Sequence, residues 1–244
     1  MCRVGDGKLL VHSPVQWTEN LGKCLEALGG DVGYIVSPNY EHLKYAQEWA
    51  DMYPLADKIA CPGLPQRLPD IPWSVEVGLS DARFSNEFRD TIEYVHFDCE
   101  VNPFTRKPFF NEVAWFHVRS KTVFMADVYW NYPRSAHPNH YADEGGTSRI
   151  HQCPKMPVES APASGLLPDV EVPTGTTLWK TGMDKIYLPF YKRFMVGKRG
   201  ERRRKYEEAV ATVLRWQPEV IVPCHGDVVR GKELCSQVLT DHFL

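Results

Sequence analysis

An apolar run near the C-terminus, Val220-Ile221-Val222-Pro223, leads directly into Cys224-His225-Gly226-Asp227. A buried strand that stops at a His-Gly turn presents an imidazole at the mouth of a sheet, because the glycine lets the backbone fold back beside it. Two upstream runs end in a similar way. Val32 to Val36 leads into Ser37-Pro38-Asn39-Tyr40-Glu41-His42, and Val123-Phe124-Met125-Ala126 leads into Asp127. In a layered sheet the loops at one edge converge, so strand ends far apart in sequence can share a pocket.

With 244 residues the chain can build one large α/β domain or two small ones, and a single domain over 1–244 is the simpler reading. Charged residues at 24% and hydrophobic ones at 43% exclude wholesale disorder. A net charge of -3 gives no overall pull towards nucleic acid or membrane, so no specific nucleic-acid partner is expected. Seven cysteines, irregularly spaced and without a Cys-x-x-Cys pair, do not make a disulfide framework at this length, which points to a reducing compartment. No apolar run reaches the roughly 20 residues of a transmembrane helix. Met1 to Gly7 has neither the apolar core of a secretory signal nor the basic amphipathic character of a presequence. An intracellular location is expected, in the cytoplasm or in an organelle if a presequence has been removed.

Helix and strand alternate at both ends of the chain. Lys8 to Val11 reads as a strand. Thr18 caps a helix with Leu21, Cys24, Leu25 and Leu28 on one face, and Gly29-Gly30 ends it. After the strand Val32 to Val36, a second helix is expected from Tyr40 or Glu41, with Leu43, Ala46 and Ala50 inward. Lys58 to Cys61 and Ile92 to Cys99 read as strands, and Glu112 to Val118 with Thr122 to Val128 as a hairpin. Residues 133–178 hold seven of the 19 prolines and no periodicity, and read as a loop insertion or lid. A helix from Glu201 to Trp216, a strand from Glu219 to Val222 and a helix from Lys232 to Asp241 complete the pattern.

His42, Asp127 and His225 thus each follow an apolar strand. Two imidazoles and one carboxylate suit zinc, iron or manganese and leave a position open for water, whose pKa the ion would lower. The plainer alternative is that the histidines hydrogen-bond locally and the aspartate caps a turn.

The order of elements, with SPNYEH after the second strand, Asp127 after the hairpin and PCHGD after the last strand, resembles the metallo-β-lactamase-like superfamily over nearly the whole chain. It looks closest to a branch poor in metal ligands. The resemblance implies a four-layer αβ/βα sandwich with a metal site at one edge of two packed sheets. Ser37 to Leu43 lies over the superfamily's Thr-His-x-His-x-Asp-His signature, so that Pro38 and Tyr40 replace two histidines, His42 stands at the aspartate and Leu43 at the last histidine. No histidine occurs near Pro108 to Asn111, where another is expected. Asp127 matches the bridging aspartate and His225 the final histidine. The losses fall on the first metal of the superfamily's pair, whereas His42, Asp127 and His225 fall at positions of the second. One divalent metal with Asp127 as a catalytic ligand is the implied remnant, and the missing partner weighs against phosphodiester or β-lactam cleavage. Asn39, Glu112 and His12 lie near matched positions and could support the ligands.

Other signals count for less. His137, His140, His151 and Cys153 in the insertion fit no zinc module. Cys224 is expected to be a core thiol, because neighbours on an extended chain point to opposite sides. His117 is expected to be structural, near the Ser120-Lys121 turn, and His96 is ambiguous. A basic cluster over 192–205 could meet anionic lipid, RNA or an acidic partner, and a solvated helix face is the commoner outcome. No GxSxG elbow, phosphate-cradling glycine loop or dinucleotide fingerprint is present. Two readings stand: a single-metal hydrolase acting on a small-molecule ester, thioester, lactone or amide, or a metal-free scaffold of the same fold holding a protein partner.

Overall fold

The computed structural model describes residues 1–78, 88, 90–132, 174–226 and 228–244. Two five-stranded sheets organise them. The first has the order β1 (Cys2–Arg3), β2 (Leu9–His12), β3 (Val32–Ser37), β4 (Asp57–Ala60) and β5 (Val75–Glu76), antiparallel between β1 and β2 and parallel thereafter. The second runs β10 (Val229–Arg230), β9 (Val220–Pro223), β8 (Thr122–Met125), β7 (Val113–His117) and β6 (Ile92–His96). Only β8 and β9 are parallel in it. Both sheets are therefore mixed, in an α/β chain.

Alternation along the strands distributes the core. Leu10, Tyr34, Val36 and Ile59 of the first sheet share one apolar cluster with Val113, Trp115 and Phe124 of the second. Leu9, Val11 and Ile35, with the opposite parity, pack with Leu25 of the Glu19–Ala27 helix and Trp49 of the Ala46–Met52 helix. Ala114, Phe116, Val123 and Ile221 pack with Tyr206, Val210 and Val213 of the Glu201–Arg215 helix and with Val238 and Leu239 of the Lys232–Phe243 helix. Thr18 caps its helix as the sequence predicts, its side chain accepting from Leu21 N at 3.2 Å.

Three expectations are corrected. The second helix begins at Ala46 rather than at Tyr40 or Glu41. Asn39 Oδ1 accepts the backbone N–H groups of Glu41 (3.1 Å) and His42 (2.9 Å), and this side-chain turn holds the segment out of the helix. The loop read over 133–178 already ends in helix, since Thr174–Gly182 is α-helical, and residues 133–173 lie outside the described residues. Its threonines and glycine are weak helix formers, but the helix runs on into an aromatic segment that packs on the core, and packing overrides propensity. Cys224 is exposed rather than in the core. The strand stops at Pro223, so the alternation of an extended chain no longer applies one residue later.

Candidate metal centre

Register brings two of the strand-end residues together. Met125 of β8 lies opposite Pro223 of the parallel strand β9, so Asp127 and His225, each two residues further on, leave the sheet side by side. Cys224 N donates to Met125 O (2.9 Å) and Asn131 N to His225 O (2.9 Å), which continues the pairing past the strand ends. Gly226 has φ +95° and bridges Asn131. A Cβ there would lie 2.0 Å from Asn131 O, so only glycine allows this approach. His42 arrives from the other sheet. Val113 N donates to Pro38 O (2.8 Å) and Tyr40 N to Phe110 O (2.9 Å), tying the end of β3 to the start of β7.

The three side chains meet. His225 Nε2 is 3.0 Å from Asp127 Oδ1, His42 Nε2 is 3.3 Å from Asp127 Oδ2, and the two Nε2 atoms are 3.2 Å apart. Side-chain exposure is 19% for His42, 13% for Asp127 and 37% for His225, so the cluster is reachable from one side. Each offers one ligand atom, all within 4.8 Å of one another.

The surroundings orient the cluster. Ser13 Oγ lies 2.8 Å from His42 Nδ1, which turns Nε2 towards Asp127. Asn39 Nδ2 donates to Asp127 Oδ2 (2.6 Å) and to Glu112 Oε2 (3.2 Å). Glu112 is fully buried and receives three successive backbone N–H groups, from Ala126 (2.7 Å) on Oε1 and from Asp127 (2.6 Å) and Val128 (3.1 Å) on Oε2. His12 stands apart. Its ring faces Phe124 at 5.8 Å, and its Nε2 is buried with no hydrogen-bond partner among the described residues.

Electrostatics follow from the packing. Burial opposes ionisation of Asp127, but hydrogen bonds from His225 and His42 outweigh it and hold the carboxyl well below its ordinary range. Burial likewise disfavours the His42 cation, yet Asp127 and the Cys224 thiol raise it to about 10. Burial pushes Glu112 up to about 7, with the Asp127 charge adding to the effect. Burial, helped by the N-terminal amine and His42, pushes His12 down to about 3.

Tyr40 and Asn111, which the resemblance sets at or near histidine positions, make other contacts. Tyr40 Oη donates to Pro62 O (2.9 Å), and the Arg67 guanidinium covers its ring at 3.9 Å, so the phenol is turned away from the cluster. Asn111 binds Pro62 O (2.6 Å) and His96 Nε2 (3.0 Å). His117 Nδ1 meets Ser120 Oγ at 2.7 Å, at the turn. Residues 137–153 of the insertion, with their histidines and cysteine, lie outside the described residues. Ser13 is the site residue that sequence reasoning missed. Its signal was available, since His12-Ser13-Pro14 follows β2, whose His12 is in register with Val36 of β3.

The chain belongs to the family described as a domain of unknown function (DUF4336), whose model matches residues 1–149. That stretch contains His42 and Asp127, while His225 lies beyond it. No curated protein matches. Among solved structures the chain is similar to a peroxy diiron species of the chemotaxis sensor ODP, at 14% identity and TM-score 0.49, covering 96% of this chain and 81% of that one. It is similar to DIM-1 metallo-β-lactamase at 13% identity and TM-score 0.44, covering 97% and 84%. It is similar to rubredoxin oxygen:oxidoreductase from the anaerobe Desulfovibrio gigas at 15% identity and TM-score 0.42, covering 87% of this chain and 43% of that one.

Proposed function

We propose that the chain is a single-domain, metallo-β-lactamase-like protein of four αβ/βα layers that holds one divalent transition metal on His42, Asp127 and His225 and hydrolyses a small-molecule ester, thioester, lactone or amide. The observation that carries this reading is the spacing of the donor atoms. Ligands on a tetrahedron with bonds of about 2.0–2.1 Å are separated by about 3.3 Å. The two Nε2 atoms are 3.2 Å apart, Asp127 faces His225 with Oδ1 at 3.0 Å and His42 with Oδ2 at 3.3 Å, and one ligand atom from each residue lies within 4.8 Å of the others. Zinc, iron and manganese all accept two imidazoles and a carboxylate.

When bound, such an ion acidifies water and polarises a carbonyl oxygen. The protein's own residues supply the rest. Ser13 would accept the Nδ1 proton of His42, so that the proton a metal displaces is the one on Nε2, and Asn39 holds one Asp127 oxygen in place. Asp127, kept ionised by its neighbours, would serve as a ligand.

The test is elemental analysis of protein purified without chelator, beside His225→Ala, followed by assay of p-nitrophenyl ester and thioester substrates with the loaded protein and Asp127→Asn. Near-stoichiometric zinc, iron or manganese that is lost in His225→Ala, with hydrolysis lost in both variants, supports the proposal. Metal-free protein whose thermal stability does not respond to added metal overturns it and leaves the scaffold reading.

A further inference from the structure

Outside the candidate site, residues 174–196 present an exposed apolar and basic face. Residues 174–196 form consecutive helical segments, Thr174–Gly182, the π-helical Met183–Tyr187, Leu188–Phe190 and the π-helical Tyr191–Val196. Backbone angles at Gly182, Tyr187, Leu188, Phe190 and Tyr191 are all right-handed helical, so the run is continuous, and Pro189, which has no N–H to donate, stands in the first turn of its α-helical piece. One side is inward: Tyr191, Met195 and Val196 are buried, and Lys180 turns in to pair with Asp184.

The other side repeats a doublet. Leu178-Trp179, Lys185-Ile186 and Arg193-Phe194 are all exposed, at intervals of seven and then eight residues, or about two turns. Leu178 is 75% exposed, Trp179 57%, Ile186 73% and Phe194 49%, so four large apolar side chains lie in water along one helix face. Scattered singly they would need no explanation, whereas aligned on one face they do.

Charge identifies what fits this face. Between Lys185 and Gly200 the sequence holds five cations and no acid, in a chain whose net charge is -3. Lys192, Arg193, Lys198 and Arg199, together with Pro189 and the paired Arg203 and Glu207, line an open groove of about 560 Å³ at the C-terminal end of the stripe. The neighbouring helix differs, since Arg203 and Arg204 are paired with Glu207 and Glu208 at 2.7 Å, as a solvated face requires. For Lys198 and Arg199 no carboxylate partner is seen among the described residues.

We propose that this helix face and the adjoining basic groove dock the protein on an anionic lipid bilayer. Apolar side chains spaced along roughly 24 Å of helix (about 1.5 Å per residue), one of them Trp, with cations beside them, match a flat interface that takes hydrocarbon and phosphate together. Leu178 and Ile186 have no stacking role on a nucleic acid, which favours lipid over RNA.

The experiment is flotation of the full chain with phosphatidylcholine vesicles and with vesicles containing 30% phosphatidylserine, at low and high salt. Ile186→Asp with Phe194→Asp, and Lys198→Glu with Arg199→Glu, are the test variants. All four positions are exposed, and melting curves verify that the variants fold. Binding at least fivefold higher on the anionic vesicles, reduced by salt and lost in both double variants, supports the proposal. Equal binding to both vesicles, or binding unchanged in folded variants, overturns it. So does RNA binding without vesicle binding, and so does displacement from vesicles by millimolar inorganic phosphate at constant ionic strength, which would make the groove a free-phosphate site.

Discussion

Ser13 Oγ lies 2.8 Å from His42 Nδ1, the ring nitrogen remote from Asp127 and His225. Ser13 holds φ +52°, an uncommon angle for a residue with a side chain, and is buried. Such a hydroxyl fixes both the tautomer and the ring orientation of the histidine. Ser13→Ala is expected to leave the fold and the one-metal stoichiometry intact while weakening metal binding by about 10- to 100-fold. Competition against a chromophoric chelator measures this. An unchanged dissociation constant would show that the hydroxyl does not control His42.

Glu112 acts on Asp127 through the backbone. Its two oxygens accept three consecutive N–H groups and the Asn39 amide, so both must be acceptors. Glu112→Gln puts an NH₂ group against backbone donors in a fully buried place, and each unsatisfied donor costs about 1–3 kcal/mol. The expected result is a loss of roughly 3 kcal/mol in urea unfolding together with loss of metal, since the Asp127 turn loses its anchor. A variant of wild-type stability would remove Glu112 from the account of the site.

The fold was legible because it is written in periodicity. The strands at 32–37, 113–117, 122–125 and 220–223 are apolar runs bounded by turn residues, and the Thr18 cap is a local signal. The meeting of His42, Asp127 and His225 in one cluster was legible because a ligand-type side chain follows such a run in each case. What stayed hidden depends on contacts between distant residues. Tyr40 turns towards Pro62 and Arg67, and Asn39 braces Asp127 across 88 positions of sequence, neither of which local pattern can announce. Cys224 was misread because alternation was carried one residue past the end of its strand.

Two glycines give opposite outcomes on substitution by alanine. At Gly226 a Cβ would be 2.0 Å from Asn131 O and 2.2 Å from its carbonyl carbon, at φ +95°. The bridge to Asn131 must open, displacing His225. A loss of about 2 kcal/mol or more is expected, lowering Tm by roughly 4–8 °C. At Gly182 no atom of the described residues, beyond its chain neighbours and its own helix backbone, lies within 4 Å of the added atom and the backbone is right-handed helical, so Gly182→Ala should stabilise by about 0.5–1 kcal/mol. Paired thermal melts check both, and equal shifts would contradict the stated geometry.

Glu100 makes stability depend on pH without belonging to the His42, Asp127 and His225 cluster. It is 4% exposed, and its Oε1 accepts from Phe110 N and from Asn111 N (2.8 Å), while Oε2 is buried with no partner among the described residues. Burial raises its carboxyl from 4.5 to about 7, with the two backbone hydrogen bonds opposing the rise. The folded protein therefore holds a proton that the unfolded chain releases at lower pH. The stabilisation is complete below pH 4.5 and is lost as pH rises to about 7, a change of about 3 kcal/mol. Buried His12 and His242, lowered to about 3 and about 4, act in the opposite direction as the solution is acidified, so the wild-type curve alone mixes the terms. Subtracting the Glu100→Gln curve isolates Glu100, because the amide oxygen can still accept both N–H groups and does not titrate. Urea unfolding should find the two proteins alike near pH 4.5 and the variant more stable by about 3 kcal/mol at pH 8. A difference that does not vary with pH would mean that Glu100 titrates alike in the folded and unfolded chain.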